Sequence, residues 1–75
     1  MLAEYLPRYK TLGLNIAYYR KKRGLSQEAL AEKVNIDRSS ISRIEIAMTG
    51  TSLDSVFKIA DVLQVEPYKL VVERD

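Results

Sequence analysis

Neither cysteine nor histidine occurs among the 75 residues. The first absence excludes a disulfide and a thiolate zinc site. The second removes the usual general base, the commonest metal ligand and every Ser/His or Cys/His catalytic arrangement. Carboxylates remain, but no pair is placed for acid–base work. No catalytic residue, metal site or cofactor is therefore expected, and the chain does not read as an enzyme. No apolar run approaches the roughly 20 residues needed to span a bilayer. The opening MLAEYLPRYK lacks the basic-then-apolar order of a secretory signal. A soluble cytoplasmic protein with no membrane partner is the default expectation. The length suits a single small domain, 1–75, with only a few kcal/mol of net stability.

Positive charge is unevenly supplied. Residues 8–45 carry nine basic and four acidic side chains, a net of +5. Residues 46–75 carry three basic and five acidic, a net of −2, and Glu4 makes residues 1–7 −1. Local positive charge is the footprint expected of a nucleic-acid binder, although basic helix faces are often simply solvated.

The remaining residues read as helices. Pro7 suits a first helical position, and helix 1 is expected to run to about Arg23. Tyr9, Leu12, Ile16 and Tyr19 recur at three- and four-residue steps and mark its buried face. Gly13 inside it suits the close approach of a neighbouring backbone, and Gly24 is a natural stop. Ser26 caps helix 2, whose inner face is Leu30, Ala31 and Val34. Asn35 falls where a left-handed residue is needed. Asp37 caps helix 3, which is expected over residues 38–46 with Ile41 and Ile44 inward. Arg38, Ser39, Ser42 and Arg43 face outward. Three serines in so short a helix lower its propensity, and stability alone does not account for them. A surface lying close against base edges does: short side chains let the helix sit deep, and arginines reach guanine O6 and N7. Residues 47–52 read as a loop. Thr51 or Ser52 caps helix 4, with Leu53, Val56, Phe57, Ile59, Ala60 and Leu63 buried. Pro67 opens a short fifth helix. Five helices without a convincing strand make an all-α domain.

The joint spacing of Leu12-Gly13, Ile16, Arg20, Gly24-Leu25-Ser26-Gln27-Glu28, Leu30-Ala31, Ile36-Asp37, Ile41-Ser42, Ile44-Glu45, Ser52-Leu53 and Ile59-Ala60 resembles the phage-repressor (Xre/Cro-like) family of helix-turn-helix transcriptional regulators. The resemblance covers residues 12–70, with the helix-turn-helix unit at 26–45. It implies a compact five-helix, lambda-repressor-like domain that binds double-stranded operator DNA as a homodimer. The second helix of the unit then enters the major groove and the first crosses the backbone. Carried onto this chain, Arg38, Ser39 and Arg43 fall where the family reads bases. Ser42 lies within reach of a base or a phosphate. Gln27, with Ser26 and the first-turn N–H groups of helix 2, falls where a phosphate is held. The resemblance also pairs Arg20 with Glu45.

The chain departs from the family in the loop after Glu45, which has no Lys or Arg. Phosphate contacts there fall to backbone N–H groups and to hydroxyls such as Thr49 and Thr51, so the salt dependence of binding should be modest. Asn35 and Gln64 stand where the family has glycines. Ile46 and Met48 are apolar at exposed-looking positions; thymine methyls, a partner protein or an extended core would each account for them. Dimerisation rests on the family alone, as no coiled-coil heptad is present. The best candidate surface is Val65, Tyr68, Val71 and Val72, with the apolar N-terminus, Leu2 and Tyr5, second; either patch instead closes the core. The alternative function is a protein-interaction module of antitoxin type, for which the bare loop speaks and the basic face of helix 3 does not.

Overall fold

The computed structural model describes residues 1–74. A 3-10 turn over Ala3–Tyr5 leads into α1 (Leu6–Lys22). Then follow α2 (Gln27–Val34), α3 (Arg38–Glu45) and α4 (Leu53–Leu63). A second 3-10 turn spans Pro67–Leu70. Among the described residues there is no strand, and no helix is long and apolar enough to cross a membrane. The fifth helical element is thus a single 3-10 turn. Pro67 sets its start, but only one turn follows before the helix ends at Leu70.

Each start of α2, α3 and α4 is capped by the side chain just before it. The Ser26 hydroxyl accepts from the Ala29 N–H at 3.0 Å, Asp37 from the Ser40 N–H at 3.1 Å, and Ser52 from the Ser55 N–H at 3.1 Å. All four α-helices end in one motif, a left-handed residue followed by a doubled-back N–H. After α1, Leu25 N–H reaches the Arg20 carbonyl past Gly24. After α2, α3 and α4 the left-handed residues are Asn35, Ala47 and Gln64, at φ of 57°, 58° and 59°. For Ala and Gln that conformation costs about 1–2 kcal/mol each.

Ile16, Leu30, Ile41, Ile59, Leu63 and Leu70 are fully buried and form the centre of the core. α3 packs against both α1 and α2, α4 against α2, and the last 3-10 turn closes on α1 and α4. The core face of α4 is Val56, Ile59, Ala60 and Leu63. Leu53 and Phe57, expected inside, are 69% and 48% exposed. They stand on the side of α4 away from the core.

Asn15 is a polar residue inside this core, 2% exposed. Its amide donates to the carbonyls of Leu70 and Val72 at 3.0 and 2.7 Å, and its oxygen accepts from Arg74 Nε at 2.8 Å. The end of the chain is thereby tied to the middle of α1.

Gly13 is where α1 crosses the end of α3. A Cβ there would lie 2.6 Å from the Ile44 carbonyl oxygen and against that of Glu45. Two effects therefore oppose each other in Gly13→Ala. Helix propensity alone would stabilise by about 1 kcal/mol, whereas forcing two backbones apart costs about 1–3 kcal/mol. Because backbone rather than a flexible side chain must yield, the variant is expected to melt lower than the parent by circular dichroism; a higher melting temperature would contradict the close packing.

Candidate nucleic-acid interface

Glu45, the last residue of α3, and Arg20, near the end of α1, are both 8% exposed. Arg20 Nε donates to Glu45 Oε2 at 2.6 Å and Nη2 to Oε1 at 3.0 Å, a two-pronged ion pair. Arg20 Nη1 donates to the Leu25 carbonyl at 2.9 Å, and the Gln27 amide donates to Glu45 Oε1 at 3.0 Å. One carboxylate thus joins α1, the turn after it, the first residue of α2 and the end of α3. Two buried charges are tolerated only while each satisfies the other. Removing one leaves the other uncompensated, at a cost of about 3–5 kcal/mol. Glu45→Ala should therefore lose most of the fold's stability together with any DNA binding. An unchanged melting temperature would remove the pair from this role.

The start of α3 is held by Asp37. Its carboxylate accepts from the Ser39 hydroxyl, from the Ser40 hydroxyl at 2.8 Å and from the Ser40 N–H at 3.1 Å. These donors stabilise the charged form and lower its pKa from 3.8 to about 2, the Ser39 hydroxyl contributing most. Two of the three serines therefore have a local structural use, which corrects the expectation that stability does not account for them. Because the folded pKa lies below the unfolded one, the stabilisation is complete above about pH 4 and is lost as pH falls through about 2. Asp37→Asn keeps a capping acceptor but not the charge. The gap in melting temperature between parent and Asp37→Asn should hold steady from pH 7 to 5 and narrow from pH 4 to 2. A gap constant down to pH 2 would contradict the assignment.

With both ends fixed and Ile41 and Ile44 buried, the opposite side of α3 is presented to solvent. Arg38, Ser39 and Arg43 are exposed and Ser42 is half-buried. At about 100° per residue, Ser39, Ser42, Arg43 and Ile46 share one arc of about 100°, turned away from Ile41, Ile44 and Glu45. Arg43 Nη2 lies 3.4 Å from the Ser40 hydroxyl, a long contact that leaves the guanidinium outward. Arg38 lines an open groove with Arg20, Ser26, Gln27 and Glu28, so the α2 start and the α3 start meet there. Thr49 and Thr51 lie beyond the other end of α3, both half-buried. Thr51 shares a mainly apolar groove with Tyr5, Arg8, Tyr9, Leu53 and Val71.

The Helix-turn-helix family model matches residues 16–70. The chain belongs to the phage-repressor-type helix-turn-helix family. It is 37% identical over 65 residues to the HTH-type transcriptional regulator SinR of Bacillus licheniformis, covering 85% of this chain and 59% of SinR. Its fold matches the restriction-modification controller protein C.AhdI of Aeromonas hydrophila with a TM-score of 0.79 and 34% identity, over 83% of this chain and 94% of that one. It also matches SinR, the master regulator for biofilm formation, in complex with DNA, with a TM-score of 0.77 and 35% identity, over 81% of this chain and 98% of that one. The chain spans just under 60% of the length of the curated relatives it matches.

Within this helix-turn-helix frame, two residues have functions that sequence reasoning missed. Arg23 donates from Nε to the Leu63 carbonyl at 2.8 Å and so caps the end of α4. Asn15 is the clamp described above; the sign was a lone amide beside Ile16 on an otherwise apolar face. Arg20 and Arg23 are thus both committed to the scaffold, and the run Arg20-Lys21-Lys22-Arg23 offers less free charge than its composition implies. Of the candidate dimer residues, Tyr68, Val71 and Val72 are exposed, as are Leu2 and Tyr5. Val65 is half-buried and packs against the core, so it chiefly closes the fold.

Proposed function

We propose that the chain is a sequence-specific, DNA-binding transcriptional regulator. It docks α3 in the major groove of a pseudo-palindromic operator as a homodimer, with half-sites about one helical turn apart. The observation that carries this is the outward arc of α3, where Arg43 and Ser42 face solvent while Asp37 and Glu45 hold the helix from its two ends. That the SinR relative is solved in complex with DNA supports DNA as the partner. In this reading Arg38, Ser39, Ser42 and Arg43 read bases. Ser26, Gln27, Thr49 and Thr51 meet phosphates on either side. Gln27 is held in place by its bond to Glu45, so the groups beneath α3 and beside the backbone are set together. The dimer forms through Tyr68, Val71 and Val72, joined by the unexpectedly exposed Phe57.

Control comes through occupancy, with no cofactor, and the DNA upstream of the chain's own gene is the first operator to test. Fluorescence anisotropy at several salt concentrations should show tight binding there, weak binding to random DNA and a modest salt slope. Arg43→Ala should lose about 1–3 kcal/mol of discrimination at one base pair. Weak, equal and steeply salt-dependent binding to both DNAs would overturn this reading. The protein-interaction module would then stand in its place.

A further inference from the structure

The loop after α3 leaves two apolar side chains in solvent. Ile46 is 62% exposed and Met48 69%. The core does not extend to either of them. They also differ from each other in placement. Ile46 still follows the helical path, with its N–H on the Ser42 carbonyl at 3.3 Å. It continues the arc of Ser39, Ser42 and Arg43. Met48 comes after Ala47, whose left-handed backbone turns the chain away from the helix axis. Its N–H folds back to the Arg43 carbonyl at 2.9 Å.

We propose that Ile46 is a specificity residue that reads the C5-methyl group of thymine. The inference rests on α3 being the DNA-reading helix. A branched alkyl side chain has nothing to offer a phosphate or a base-edge donor or acceptor. In the major groove the one apolar feature is the thymine methyl. The position fixes where that thymine lies. Ile46 is three residues from Arg43, about 4.5 Å along the helix axis, or one to two base-pair steps at about 3.4 Å each. The thymine therefore neighbours the base pair that Arg43 reads. The absence of Lys and Arg from residues 46–51 leaves this end of the helix to apolar contact.

The test uses the 75-residue chain and a duplex selected by it from a random-sequence pool. Each thymine in turn is replaced by uracil, which deletes only the methyl group. Affinities are measured by anisotropy for the parent, Ile46→Ala and Met48→Ala, with melting temperatures to verify folding. In the parent and in Met48→Ala, one uracil per half-site, within two base pairs of the position relaxed by Arg43→Ala, should weaken binding about fourfold, the value of one buried methyl. In Ile46→Ala the same replacement should have no effect. If no single uracil weakens the parent, or if Ile46→Ala shows the same loss, the proposal fails while the operator reading stands. A pool that yields no preferred sequence overturns both.

Discussion

Glu45 is a carboxylate almost withdrawn from water, and the position of α3 depends on how that charge is answered. The Arg20 guanidinium supplies two parallel donors at 2.6 and 3.0 Å, and Gln27 a third at 3.0 Å. An ion pair of this kind contributes little net stability compared with well-packed apolar residues. What it supplies is direction. Apolar contacts tolerate sliding and rotation, whereas a forked guanidinium meets a carboxylate in one geometry. For a helix of eight residues, too short to be stable by itself, that geometry sets rotation about its axis. Gly13 lets the α3 carbonyls rest directly on α1, so the helix end is fixed in distance as well as in angle.

The arrangement separates two tasks along α3. Ile41, Ile44 and Glu45 face the scaffold, Asp37 caps the exposed start of the helix, and Ser39, Ser42, Arg43 and Ile46 face away. Part of the chain's positive charge serves the scaffold: Arg20 answers Glu45, Arg23 caps α4 and Arg74 stacks on Tyr18 at 3.9 Å. Under the proposed function, each cation committed to the scaffold is one fewer to neutralise a phosphate, and more of the binding falls to base contacts. In such a design a neutral residue such as Ile46 matters, because a methyl contact discriminates without adding salt-dependent attraction.

Most of the fold was legible because each boundary has a local chemical cause. Ser26, Asp37 and Ser52 are cap residues, and α4 was expected over the residues it occupies. Asn35 and Gln64 were recognised as standing where glycines usually do. Ala47 was not recognised as left-handed, since alanine gives no hint of it. The misread faces have a tertiary cause. Leu53 and Phe57 fit a helical stripe by spacing, but the width of a buried stripe depends on which elements cover it, and none covers that side of α4. Leu70 escaped notice because a single 3-10 turn has too few residues to show periodicity. At the candidate interface, residue types pointed to α3, and the family resemblance to the Arg20–Glu45 pair. The hydroxyls of Ser39 and Ser40 were harder to place: the same serines serve base contact or local capping, and only the Asp37 geometry separates the two.

The central claim is that DNA lies along the outward arc of α3, between the start of α2 and the loop after Glu45. The most direct measurement is titration of the isotope-labelled chain with its selected duplex, following backbone amide chemical shifts. The largest changes should fall on residues 26–29, 38–43 and 46–51, with α4 and residues 66–72 little affected by DNA once the dimer has formed. Changes confined to α4 and residues 66–72, with α3 silent, would contradict the account and place the binding surface on the opposite side of the fold.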